Sequence, residues 1–166
     1  TTVTRVTVGV FICTCGDTIQ SCIDAGALAR FAKTLPDVRV VETRADWCQA
    51  DGIAALVQAV KSQKVNRIVV AGCSPQFLGS RIEQAVASAG LAKGQVAYAN
   101  IREHCAWVHP DDPAGATAKA KRLVGAAVFR GAKQSPIAVR EFPVAREVLV
   151  LGAGVAGIQA SLDLAD

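Results

Sequence analysis

The chain has 166 residues, of which 51% are hydrophobic and 19% charged, with a formal net charge of +4. This suits one domain with a sizeable core, with room for an appendage, and excludes wholesale disorder. The basic residues are scattered, and two Trp and one Tyr offer no base-stacking platform, so nucleic acid is not an expected partner. No apolar run reaches the roughly 18 residues of a membrane span, and the start lacks a signal-peptide layout, which favours a cytoplasmic protein.

Short apolar runs rich in β-branched residues alternate with longer helical stretches. This alternation predicts an α/β fold, a Rossmann-like open parallel sheet of about four strands with flanking helices. In chain order the predicted elements are strand Val3–Ile12, helix Thr18–Thr34, strand Val38–Glu42, helix Asp51–Gln63, strand Arg67–Gly72, helix Pro75–Ala89, strand Gln95–Asn100, a loop at Arg102–Pro110 and helix Pro113–Gly131.

The remainder of the chain is of a different kind. Residues 1–133 are predicted to form the α/β domain, 134–146 an extended linker with two prolines, and 147–166 the truncated start of a second domain. There, a predicted strand, Val148–Leu151, precedes three glycines that match the dinucleotide-binding pattern G-x-G-x-x-G, namely Gly152, Gly154 and Gly157. Because the next strand and its acidic residue are missing, we do not expect this chain alone to bind FAD or NAD.

Five of the six cysteines come just after predicted strands: Cys13, Cys15, Cys48, Cys73 and Cys105. The carboxyl ends of parallel strands meet at one edge of the sheet, so thiols far apart in sequence are expected to converge there. In a cytosolic chain, such thiols indicate metal or redox chemistry rather than disulfides. The pattern favours an iron–sulfur cluster, most plausibly [4Fe-4S], with four of the five cysteines as ligands.

Other assignments of these thiols stay open. Cys22, inside the first predicted helix, is expected to be a core residue. Zinc is a competitor, although the only close pair, Cys13 and Cys15, is not the usual zinc knuckle. A reactive thiol in that pair would suit sulfur handling, and a domain with zinc or no metal would suit docking.

Neighbours of Cys105 have weaker signals. His104 and His109 flank it and could ligate a metal, but a hydrogen-bonding or surface role is favoured for both. Arg102 could offset the charge of a thiolate cluster, or be solvated. Glu103 has no visible partner, and a loop surface explains it.

Four stretches resemble the N-terminal domain of the heterodisulfide reductase A-subunit family: GVFICTCG, RIVVAGCSP, ANIREHCAWVHP and the terminal VLVLGAGVAGIQASLDLAD. The likeness spans nearly the whole chain in the same order. It implies an iron–sulfur flavoprotein in which this domain precedes a FAD domain. Two positions depart from the family's pattern: Thr14 stands where a His is usual, and Gln49 where a Ser is usual.

The resemblance carries the family's cysteines onto all five positions named above and the FAD fingerprint onto the three glycines. We expect Cys15, Cys48, Cys73 and Cys105 as ligands, with Cys13 as the alternate to Cys15. The chain is then an electron carrier without catalysis of its own, within an oxidoreductase. Its implied partners are the other subunits of a heterodisulfide reductase-like complex, and a homodimer is left open.

Overall fold

The structure is a computed structural model that describes residues 5–138 and 140–165. Its centre is a sheet of four parallel strands in the order β2-β1-β3-β4. The strands are β1 (Val8–Cys13), β2 (Val38–Arg44), β3 (Arg67–Gly72) and β4 (Val96–Asn100). The predicted α/β class and four-strand parallel sheet are confirmed.

Helices α2 (Ala25–Lys33) and α5 (Pro113–Lys133) cover one face of the sheet, and α3 (Ala50–Gln63) and α4 (Pro75–Ala87) cover the other. The remaining helical elements are α1 (Asp17–Gln20), a π-helical turn (Arg102–Ala106) and α6 (Val155–Ala165), which has no buried residues. Over the described ranges, none of these helices combines the length and apolar character that crossing a membrane requires.

Alternation along β1 divides the core into two layers. Val8, Val10 and Ile12 join the apolar cluster under α2 and α5, whereas Phe11 and Cys13 join the cluster under α3 and α4. This is the period of two that any strand has, since successive side chains point to opposite faces. We call these the α2/α5 cluster and the α3/α4 cluster.

The single helix predicted at Thr18–Thr34 is wrong, because the chain forms two helices separated by a break. Asp24 caps α2, its carboxylate accepting from the backbone N–H of Ala27 at 2.8 Å. Its own N–H donates to the Thr117 hydroxyl at 3.1 Å, and the Cys22 thiol donates to the His109 carbonyl at 2.9 Å. The Asp24 N–H is thus satisfied by Thr117 instead of the carbonyl four residues earlier that a continuous helix would use.

The ends of the chain also differ from the prediction. The first strand begins at Val8 rather than Val3, and residues 1–4 of that prediction lie outside the described residues. No strand forms at Val148–Leu151, where Val148, Leu149 and Leu151 are exposed. A strand exists by pairing with another strand, and none of the described strands pairs with this segment.

Candidate metal centre

The site is built on the two central strands, β1 and β3. From β1 the chain adds β2 on one side, and from β3 it adds β4 on the other side. In open α/β sheets, ligands bind in the crevice beyond the carboxyl ends of strands at such a reversal. Cys13 is the last residue of β1, and Cys73 directly follows β3. One predicted ligand, Cys73, and the alternate, Cys13, therefore lie at the topological switch point.

Cys13 is buried against the end of β3. Its side chain belongs to the α3/α4 cluster, and its thiol donates to the Ala45 carbonyl at 3.5 Å. Across from it, a Cβ added to Gly72 would lie only 3.0 Å from the Cys13 Cβ. Glycine at position 72 thus leaves the room in which the Cys13 side chain sits.

Cys15 lies in an unusual turn just beyond β1. Its φ of 50° and the φ of 57° at Gly16 are both in the left-handed region, which costs a residue with a Cβ roughly 1–2 kcal/mol. Thr18 fixes the turn, because its hydroxyl donates to the Cys15 carbonyl at 2.8 Å. The turn holds the Cys15 side chain half-buried, in contact with both apolar clusters.

Cys48 is positioned by its neighbour Trp47. The Trp47 indole is 2% exposed, donates from Nε1 to the Ile12 carbonyl at 2.9 Å and meets the Phe11 ring edge-on at 5.2 Å. A buried indole with a satisfied N–H is a rigid anchor. Half-buried Cys48, two residues before α3 begins, is therefore held beside the end of β1. Sequence reasoning did not identify Trp47 as this anchor.

Burial keeps two of these thiols protonated in the absence of metal. It raises the pKa of Cys73 to about 11, against the opposing effect of Arg102 and with Glu103, Cys15 and Cys13 raising it further. It also raises the pKa of Cys13, which backbone N–H groups lower in part. Binding of a metal would therefore release protons from these thiols.

Arg102 and Glu103 close the edge of the site. The Arg102 Nη1 donates to the Cys15 sulfur at 3.4 Å, and Nη2 donates to Glu103 Oε1 at 2.9 Å. The same oxygen accepts from the backbone N–H of Ser74 at 3.3 Å. The surface role expected for Glu103 is therefore wrong. Burial alone would raise the pKa of this carboxyl, but these hydrogen bonds lower the pKa overall.

Cys105 occupies a different place from the other candidates. It is fully buried in the π-helical turn and belongs to the α2/α5 cluster together with Cys22. Burial raises the pKa of its thiol, Lys119 opposes this, and Cys22 adds to it. By contrast, Cys13 and Cys73 belong to the α3/α4 cluster, against which Cys15 and Cys48 pack.

The structure thus gathers Cys13, Cys15, Cys48 and Cys73 near the switch point. In the described ranges, no three side chains among His, Cys, Asp and Glu are arranged to hold a single metal ion. A single zinc ion needs its sulfur ligands at about 2.3 Å, whereas a cluster contributes several metal atoms and sulfides of its own between the thiolates. Four soft thiols, two buried and two half-buried, fit the latter group in their chemistry.

The two histidines do not join these thiols. Exposed His104 lines an open cleft of about 690 Å³ beside β4, together with Ser74, Asn100 and Arg130. The Nε2 of His109 lies 3.3 Å from Lys119 Nζ, on the α5 side.

The three glycines near the end lie where the chain turns into α6: Gly152 and Gly154 precede the helix, and Gly157 lies in its first turn. Gly152 has a φ of 111°, and a Cβ on Gly157 would lie 2.0 Å from the Gly152 carbonyl oxygen. Neither position tolerates a side chain without a shift of the backbone. This is the close approach that the first and third glycines of a dinucleotide-binding turn provide.

Fold and site together define a doubly wound α/β domain with a cysteine-rich switch point. No family model matches the chain. It is 39% identical, over 97% of its length, to the first iron-sulfur A-subunit of CoB–CoM heterodisulfide reductase from Methanopyrus kandleri, covering 24% of that protein. It is 41% identical, over 96% of its length, to the A-subunit of the H(2):CoB-CoM heterodisulfide,ferredoxin reductase of Methanothermobacter marburgensis, again covering 24%.

A further relative is the A-subunit of the ferredoxin/F(420)H(2)-dependent CoB-CoM heterodisulfide reductase of Methanosarcina acetivorans, at 37% identity over 96% of the chain and 20% of that protein. The chain belongs to the heterodisulfide reductase A-subunit family, and it spans about a quarter or less of the length of these curated relatives.

Proposed function

We propose that this domain is an electron-transfer module that holds one [4Fe-4S] cluster at the carboxyl edge of its sheet. The observation that carries the proposal is the meeting of four cysteines from three separate loops near the β1/β3 switch point. It is supported by relatives whose names describe an iron-sulfur protein. When bound, the cluster would supply one-electron redox chemistry.

For the ligands we favour Cys13, Cys15, Cys48 and Cys73. All four lie in or against the α3/α4 cluster, whereas Cys105 packs with Cys22 in the α2/α5 cluster. Cys105, expected from the sequence as a ligand, becomes the alternate to Cys13. Among the six cysteines, all within the described residues, Cys15 alone packs against both clusters, so we place it in either ligand set.

The remaining residues of the site exclude water and hold the thiols in place. Trp47 fixes the loop that carries Cys48, and Gly72 makes room for Cys13. Burial of Cys13 and Cys73 lowers the dielectric constant around them, so nearby charges act more strongly there than at the surface. The domain itself binds no substrate in this proposal.

In the longer protein, we propose that the turn at Gly152, Gly154 and Gly157 receives the pyrophosphate of FAD. The support is its conformation, with α6 beginning at Val155, directly after Gly154. The relatives are named as single subunits of larger reductases, so the partners we propose are the other subunits of a heterodisulfide reductase-like oxidoreductase.

Metal analysis after anaerobic reconstitution tests the proposal. The chain should turn brown and bind about four iron and four sulfide per molecule, with an EPR signal after reduction. Cys15→Ser, Cys48→Ser and Cys73→Ser should each lose most of the iron. The matched control, Cys22→Ala, should keep it, because Cys22 donates to the His109 carbonyl away from these four thiols.

Two variants distinguish the candidate ligand sets. Loss of iron in Cys13→Ser with retention in Cys105→Ala supports the set favoured here, and the reverse supports Cys105. A colourless protein that takes up zinc instead would point to a docking module. A metal-free protein that forms a persulfide on Cys15 would point to sulfur handling. Either result overturns the electron-transfer proposal.

A further inference from the structure

The side chain of Arg102 is held firmly against the candidate cluster site. Its Nη1 lies 3.4 Å from the Cys15 sulfur, and its Nη2 and Nε lie 2.9 Å and 3.3 Å from Glu103 Oε1. The guanidinium also stacks over the Trp107 ring at 4.9 Å from the ring centroid. With contacts to a sulfur, a carboxylate and an aromatic face, and only 19% of its side chain exposed, Arg102 presents a fixed charge.

Arg44, the other cation beside the site, is engaged differently. It pairs in register with Cys13 in the sheet, but its guanidinium binds the carboxylates of Asp46 and Asp51. These two carboxylates offset the positive charge of the Arg44 guanidinium. Within the described residues, the hydrogen bond from Arg102 is the one in which a cation donates to a cysteine sulfur.

Glu103 offsets only part of the positive charge that Arg102 places at the Cys15 sulfur. Its Oε1 takes the contacts from Arg102 and Ser74, whereas its Oε2 is buried without a hydrogen-bond partner. The guanidinium contacts the Cys15 sulfur directly, through Nη1, whereas the hydrogen bonds of the Glu103 carboxylate go to Arg102 and Ser74. Partial burial limits the screening of this field by water.

We propose that Arg102 is the positioning residue that sets the reduction potential of this site, raising it through its charge at Cys15, with Glu103 as the opposing charge. This inference rests on the proposed function. On reduction, one electron enters from a chemical or protein reductant, and no bond or proton need change. The added negative charge is stabilised by Arg102 and destabilised by Glu103. Replacing the two residues should therefore move the potential in opposite directions.

The test is an EPR-monitored redox titration of the reconstituted chain and its variants, with dithionite as reductant and iron counted in each sample. Arg102→Gln should favour the oxidised form about tenfold, which lowers the potential by about 59 mV for one electron. Glu103→Gln should raise the potential. Arg102→Lys keeps the charge but loses the fork of hydrogen bonds, so it should lie between wild type and Arg102→Gln.

Arg81→Gln is the matched control, because it removes the same charge from an exposed position on α4. It should leave the potential unchanged. If Arg102→Gln binds full iron at the wild-type potential, the inference is wrong while the proposed function stands. If Arg102→Gln fails to bind iron, the potential of Glu103→Gln becomes the test. A potential in Glu103→Gln that is unchanged or lower than in wild type overturns the inference. If wild type binds no iron, the proposed function fails, and this inference with it.

Discussion

At the scale of single residues, the backbone at Cys15 is the clearest sign of a functional constraint. A side chain with a Cβ stays in the left-handed region only where the surrounding structure over-determines it, and such residues cluster at binding sites. Gly16 follows with its own positive φ, so the turn needs one glycine but carries a thiol in the position before it. Cys15 thus occupies a position where glycine would have a less strained backbone.

Substitution of Cys15 should reveal this strain in metal-free protein. Cys15→Gly should be more stable than Cys15→Ala by about 1 kcal/mol, because glycine alone accepts the positive φ without steric cost. Urea unfolding of both variants measures the difference. At Cys48, which does not share the positive φ, the order should reverse by about 0.4–1 kcal/mol. Equal stability of the two Cys15 variants would show that the turn is unstrained.

Trp47 offers a second test at this scale. Trp47→Phe keeps an aromatic ring against Phe11 but removes the donor to the buried Ile12 carbonyl. Loss of this hydrogen bond should lower the free energy of unfolding by about 0.5–1.5 kcal/mol. Trp107→Phe is the control, because Trp107 is exposed, and it should change stability by less than about 0.5 kcal/mol. Similar losses in both variants would contradict the anchoring role of Trp47.

At the scale of elements, the break between α1 and α2 is a capped boundary. The carboxylate of Asp24 accepts from Ala27 in the first turn of α2. Asp24→Ala should therefore destabilise the protein by about 1 kcal/mol, whereas Asp24→Asn should retain most of the cap. Chemical denaturation measures both. The exposed pair of Asp24 with Arg30 at 4.0 Å contributes little, so a large loss in Asp24→Asn would mean that charge rather than capping stabilises this turn.

The sequence predicts the bounds of an element well where its residues are uniformly buried. It predicts them poorly where contacts with distant residues determine where the element begins or ends. β3 has the predicted bounds, because its first residue, Arg67, is followed by an unbroken run of buried residues without polar side chains, 68–72. The break before Asp24 escaped prediction, because its partners Thr117 and His109 come from about 90 residues away. No local pattern in the first helix records those contacts.

The same distinction applies to the candidate ligands. The strand positions in the sequence are enough to predict that five cysteines lie near one edge of the sheet. They do not reveal on which face of the sheet each thiol lies. For Cys13 the signal existed, since Phe11 and Cys13 share a face by the period of two. Cys105 lies five residues beyond β4, in a π-helical turn, where no strand period carries over and sequence reasoning could not assign its cluster.

At the scale of the whole molecule, the site depends on three loops that only the folded sheet brings together. Cys13 ends β1 and Cys15 follows it, Cys48 follows β2 and Cys73 follows β3. The unfolded chain cannot present these thiols at one point, so any group they bind together selects the folded state. Binding and stability are then linked, because a ligand that prefers the native state stabilises it in proportion to its affinity and concentration.

Cluster assembly should therefore raise the thermal unfolding temperature of the chain. Binding a hundredfold above the dissociation constant contributes about 2.7 kcal/mol, which corresponds to roughly 5–11 °C in a protein of this size. Anaerobic thermal melts before and after reconstitution measure the shift, and removal of the iron with a chelator should reverse it. Cys73→Ser, treated in the same way, should show no shift. Full iron content in wild type without a rise in unfolding temperature would mean that the iron is bound outside the folded crevice.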